Sequence, residues 1–128
     1  MSGRLTTHVL DTSAGRPAAG LGLALYRLDD DGQRALLVET RTDADGRVGA
    51  PLLEGEALRP GVYELVFEVG EHFARRGVTL VRSVAAGPRP SRPFLDQVPV
   101  RFGVADGGAH YHVPLLVTPW SYTTYRGS

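Results

Sequence analysis

The sequence contains neither cysteine nor lysine. Without cysteine there can be no disulfide framework, thiolate nucleophile or cysteine-ligated metal. Without lysine there is no amine for Schiff-base chemistry, and all fourteen basic residues are arginine. Net charge is missing too, since fourteen acidic residues bring the formal charge to zero at pH 7. That balance removes the electrostatic footprint expected of a protein that binds nucleic acid or an anionic membrane. No apolar run reaches the roughly 18 residues of a membrane span. The opening stretch, MSGRLTTHVLD, lacks the apolar centre of an export signal, and the expected location is the cytoplasm. Helical patterning is scarce: only residues 71–76 suggest a helix, of about two turns.

What is present is short alternation. Sixteen glycines and nine prolines punctuate the 128 residues, a length that suits a single domain over residues 1–128. Period-two patterns, the mark of half-buried strands, occur at residues 5–10, 21–28, 35–42, 62–69, 98–104 and 111–117, with a last candidate at 122–125. Along 62–69, Val62, Glu64, Val66 and Glu68 take one side, and Tyr63, Leu65, Phe67 and Val69 the other. Asp29-Asp30-Asp31-Gly32 and Asp43-Ala44-Asp45-Gly46 read as turns. Residues 85–93, with three prolines and two arginines, read as an exposed loop. Seven or eight short strands separated by turn signals imply an all-β sandwich.

With cysteine and lysine excluded, acid–base work near neutral pH falls to His8, His72, His110 and His112. His110 and His112, two apart on a strand, leave the same face. That spacing suits a metal site, a polar cluster lining a pocket, or two ordinary half-exposed strand residues. Period two places Thr6 and His8 on one face of the first strand, and Thr7 and Val9 on the other. A zinc site built from His8, His110 and His112 is one reading of this set. Arg47, in the Asp45-Gly46-Arg47 turn, is by default a solvated residue, but a guanidinium there could also hold a planar anion or a developing oxyanion. The tail from Trp120 to Ser128 is aromatic and β-prone where termini are usually polar. It is either an edge strand packed on the core or a segment held in a site.

Three segments together resemble the transthyretin-like family, specifically its hydrolase branch, which acts on 5-hydroxyisourate. They are Leu5-Thr6-Thr7-His8-Val9-Leu10-Asp11 with Gly15-Arg16-Pro17-Ala18, then Thr42-Asp43-Ala44-Asp45-Gly46-Arg47, then His110-Tyr111-His112-Val113-Pro114-Leu115-Leu116 through to Tyr125-Arg126-Gly127-Ser128. The closing Tyr-Arg-Gly-Ser is the signature of the hydrolases and is lacking in the hormone carriers. Departures from the family pattern are a long Pro/Arg-rich stretch at 81–97, His72-Phe73 in place of a Tyr-Phe pair, and Thr118 and Trp120 in place of smaller residues.

The resemblance implies a transthyretin-like, prealbumin-type sandwich of eight strands in two antiparallel sheets with one short helix. It implies a homotetramer with sites at the dimer–dimer interface, needing no metal or cofactor. The implied reaction is hydrolytic opening of the six-membered ring of 5-hydroxyisourate to 2-oxo-4-hydroxy-4-carboxy-5-ureidoimidazoline, a step of urate degradation. Carried onto this chain, His8, Arg47, His112 and Ser128 are the catalytic set. His8, Arg47, His110, Tyr125 and Arg126 hold the substrate. His8 and His112 both qualify as the base, and His110 as either a supporting or a ligand-facing residue. The alternative is a small-ligand carrier of the same fold without catalysis.

Overall fold

The computed structural model describes residues 3–77, 81–83, 87–89 and 93–127. Along the chain come β1 (Arg4–Asp11), β2 (Arg16–Pro17), β3 (Gly22–Leu28), β4 (Arg34–Arg41) and β5 (Leu53–Glu54), then a 3-10 turn at Gly55–Ala57 and β6 (Gly61–Glu68). The helix α1 (Val69–Arg75) follows, then β7 (Val81–Ser83), β8 (Gly87–Arg89), β9 (Gln97–Val104), β10 (His110–Val117) and β11 (Tyr122–Thr124). One sheet has the order β11-β10-β1-β2, with β5 also paired to β1. The other has the order β4-β3-β6-β9, and β7 and β8 form a separate hairpin.

The two sheets close on one apolar core because their alternations are in phase. From the first sheet, Leu5, Val9, Leu115 and Val117 point inward and are fully buried, as are Leu25, Tyr63, Leu65 and Phe67 from the second. Each such side chain contributes about 1.5–3 kcal/mol of burial. The expected split of residues 62–69 holds on the inner side. On the outer side Glu64 is nevertheless covered, because Arg34 and Arg101 reach its two carboxylate oxygens at 3.1 and 3.2 Å. The Asp29 turn is an exposed cap, in which the Asp29 carboxylate accepts the backbone N–H of Asp31 and Gln33.

Four expectations need correction. In place of eight strands there are eleven among the described residues, five and four in the two packed sheets and two in the β7–β8 hairpin, because the two-residue β2 and β5 pair at sheet edges without a period-two run of their own. The sheets are not wholly antiparallel: β1 and β10 run parallel, paired from Arg4 with His110 to Asp11 with Val117. Alternation reports which face a residue takes and is silent on the direction of the neighbouring strand. The 85–93 stretch is not only loop, since Gly87–Arg89 pairs with Val81–Ser83, while residues 84–86 and 90–92 lie outside the described residues. The helix begins two residues earlier than its charged stretch suggested, at Val69, which with Phe73 plugs the end of the core.

Candidate active site

The parallel pairing of β1 with β10 assembles the site. It sets Arg4 beside His110, Thr6 beside His112 and His8 beside Pro114. The alternate residues Leu5, Thr7 and Val9 are buried, so Arg4, Thr6, His8, His110 and His112 all leave by the outer face of the sheet. On that face the Thr6 hydroxyl lies 2.8 Å from Nδ1 of His112, and Nε of Arg4 donates to Nδ1 of His110 at 3.1 Å. Inside, the Thr7 hydroxyl donates to the Val113 carbonyl at 2.7 Å, pinning the same two strands from the core side.

Arg47 reaches this face from the turn after β4. Its backbone bridges to His8, and the turn is fixed by one side chain: the Asp43 carboxylate accepts the N–H of Asp45 at 2.8 Å and of Arg47 at 3.1 Å. Gly46 takes φ 75°, a conformation that favours glycine, and a Cβ there would collide with the Val9 carbonyl. The turn therefore presses on β1 next to His8, and Val9 donates its N–H to Gly46 at 2.8 Å. Nε2 of His8 lies 2.9 Å from the Asp45 carbonyl. A carbonyl only accepts, so the His8 proton sits on Nε2, and the neutral ring keeps its lone pair on Nδ1.

The tail closes the fourth side. Beyond β11, Gly127 bridges to His112 and donates its N–H to the His112 carbonyl at 2.7 Å. His112 is half-buried between the strands and this tail. Burial pushes its pKa below the ordinary 6.5, and electrostatic repulsion from Arg47, then from His8, pushes it further down. His112 is therefore held neutral at physiological pH, next to a guanidinium and a second imidazole. Such a group can take a proton from water while the arginine receives negative charge.

The structure gathers His8, Arg47 and His112 as the sequence implied, and places His110 on the same face, tied to Arg4. It does not bring Tyr125 and Arg126 to them within one chain. Those two line a recess of about 350 Å³ with Phe102, Tyr111 and Val113. There the Arg126 guanidinium stacks 4.3 Å from the Tyr111 ring and donates to the His110 carbonyl at 3.1 Å. Ser128 lies outside the described residues. His72 is remote from this face: it is buried in α1, with Nε2 2.9 Å from the Asp11 carboxylate. Among the described residues no three His, Asp or Glu side chains form a metal-holding group. Sequence reasoning passed over Thr6, whose signal was its shared face with His8, and Asp43, whose signal was the Asx-turn chemistry of its motif.

Two packed sheets, with a histidine-lined outer face on the sheet that unites the first strand with the last two, define a transthyretin-type sandwich. The chain belongs to the HIUase/Transthyretin family, which it matches over residues 5–127. The 5-hydroxyisourate hydrolase of Ralstonia nicotianae is 56% identical over 126 residues, spanning 98% of this chain and 99% of its own. Among solved structures, an (S)-allantoin synthase superposes with a TM-score of 0.84 at 45% identity, over 99% of this chain but 44% of that one. Sea bream transthyretin in complex with thyroxine gives a TM-score of 0.80 at 27% identity, over 97% of this chain and 94% of that one.

Proposed function

We propose that this chain, acting as one catalytic domain over residues 1–128, hydrolyses 5-hydroxyisourate to 2-oxo-4-hydroxy-4-carboxy-5-ureidoimidazoline in urate degradation. The observation that carries the reading is the convergence of a neutral, pKa-lowered His112 with Arg47 and His8 on one sheet face, in a chain 56% identical to a protein of that activity. Water adds to the ring carbonyl and its proton passes to an imidazole. The oxyanion forms against Arg47, and the ring C–N bond breaks as the nitrogen takes a proton back. His112 is the base in this scheme. His8, with its Nε2 proton committed to Asp45, offers Nδ1 to the substrate. Arg4 orients His110 beside them. Tyr125, Arg126 and Ser128 of the tail belong to the site in this reading only where subunits meet, since within one chain Tyr125 and Arg126 line the Phe102–Tyr111 recess.

The site face is open in a single chain: Arg47 is exposed, and Trp120, Tyr122 and Tyr125 are 69, 43 and 58% exposed. So much aromatic surface is costly to leave in water. This supports a homotetramer in which the site faces of two dimers meet and enclose the substrate. The carrier reading draws on the likeness to sea bream transthyretin. It gives no role to a lowered His112 pKa or to a tail seated on that ring. Adding freshly generated 5-hydroxyisourate and following its ultraviolet decay decides between them. Decay no faster than the spontaneous rate would leave the carrier reading.

A further inference from the structure

A second polar recess, of about 410 Å³, lies between the end of β1, the start of β2 and the helix α1. Its lining includes Asp11, Arg16, His72, Arg75 and Arg76, with Ala44 from the turn that carries Arg47, and it includes none of His8, Arg47 or His112. The one acid of that lining, Asp11, is 1% exposed and already saturated. Its Oδ1 accepts from the Ser13 hydroxyl at 2.6 Å and the Ala14 N–H at 3.1 Å, and its Oδ2 accepts from Nε2 of His72 at 2.9 Å and Nη1 of Arg76 at 2.8 Å. Burial pushes the Asp11 carboxyl up, but the hydrogen bonds from Ser13, His72 and Ala14 and the Arg76 charge outweigh it and hold the pKa below the usual carboxylate value.

The charge balance of the recess follows. Asp11 and Arg76 cancel each other, and Arg16 and Arg75 are left as two cations on one concavity. Glu71, the other acid near Arg75, is engaged by Arg41 at 2.8 Å. Arg75 is also preorganised, because its Nη2 donates to the Gly20 carbonyl at 2.8 Å and fixes the guanidinium in place. One guanidinium fixed at the wall and a second lining the same recess match the charge and fork chemistry of an oxyanion.

We propose that this recess is a binding site for a small polyvalent oxyanion, with the guanidiniums of Arg16 and Arg75 as its ligands. Because Ala44 forms part of the wall, the occupant touches the turn that presents Arg47 without entering the reaction site.

Titration calorimetry of the intact protein with inorganic phosphate and with citrate, at low ionic strength, tests this. One saturable site per chain is expected for at least one of them, accompanied by amide chemical-shift changes at Ala19 and Ala44. Phosphate alone would assign a phosphoryl-type ligand, and citrate alone a carboxylate-type one. Arg16→Gln and Arg75→Gln should each weaken binding about tenfold, and added salt should weaken it further. Arg59→Gln, which removes the same charge outside the recess, should not. All three side chains are exposed, so folding is little affected, and an unchanged melting curve verifies it. No saturable binding of either anion up to about 1 mM, or undiminished binding in the Arg16/Arg75 double variant, would overturn the proposal.

Discussion

The His112 ring and the backbone of Gly127 leave no room for a side chain between them: a Cβ on Gly127 would sit 2.6 Å from Cδ2 of His112. Glycine is therefore needed in the closing Tyr-Arg-Gly-Ser because the ring occupies the space its side chain would take. Gly127→Ala should displace either the tail or the imidazole. The expected result is a fall in kcat of at least about tenfold, since small misplacements of catalytic groups are expensive, with a melting temperature close to that of the parent. Deleting residues 125–128 should abolish hydrolysis in the same way. Undiminished turnover in either variant would remove the tail from the mechanism.

The depressed pKa of His112 makes two pH predictions. If His112 is the base proposed above, its neutral form is the active one, and kcat/KM should fall on the acid side with a midpoint below 6.5, the ordinary histidine value from which burial, Arg47 and His8 displace it. Arg47→Gln removes the guanidinium charge beside the ring and should move that midpoint upward while lowering the plateau. For stability the sign is fixed by the same shift. The unfolded chain takes up the proton near 6.5, before the folded chain does, so stability falls as pH drops from about 6.5 through the folded-state value. His112→Gln should flatten that part of a plot of melting temperature against pH.

His8→Ala and Arg47→Ala should each reduce ring opening about a hundredfold or more, the size typical of acid–base and oxyanion groups. Circular dichroism should remain that of the parent, because His8 is only half-buried and Arg47 is exposed. Rates near the parent value in either folded variant would sink the proposed roles.

Asp43 shapes the turn that carries Arg47 and abuts His8. Its carboxylate wraps the turn, and the turn delivers both the Arg47 backbone and the Asp45 carbonyl that fixes the His8 proton. Asp43→Ala should lower kcat several-fold or more and blur the pH profile, as His8 loses its preferred tautomer. Asp43→Asn keeps the accepting oxygen and should restore most of the rate. Equal damage from both substitutions would point to charge, and no damage from either would dismiss the positioning role.

Light scattering at micromolar concentration should give four times the chain mass. A monomer would contradict the enclosed site and leave Trp120, 69% exposed and 6.2 Å from the Phe94 ring, without a covering surface.

Strand positions were legible in the sequence because a face that meets the core must alternate, as Tyr63, Leu65 and Phe67 do. The histidine face was legible for the same reason, since period two put Thr6 with His8, and His110 with His112. Pairing partners were not. Nothing local to Thr6 announces that its neighbour is His112, because strand order is set by packing of the whole sandwich. A place for Tyr125 and Arg126 in the site came only from the family signature, and in one chain they line the Phe102–Tyr111 recess instead. His72 shows the limit of reading residue type alone. A histidine suited to acid–base chemistry turned out to be a buried partner of Asp11, 61 residues away.

The parallel β1–β10 pair has a consequence for how the protein is made. Thr6 and His112 are neighbours in space but 106 residues apart in the chain. During translation the first strand emerges long before its partner, and it must wait with an unpaired edge until β10 is synthesised. Such an edge invites pairing with other chains, and contacts this distant in sequence slow folding. A prematurely terminated product lacks half of the catalytic face and carries an uncovered β1. Refolding of the diluted, denatured full chain should accordingly take milliseconds to seconds, the range for non-local β topologies, and ring-opening activity should return only in its last phase.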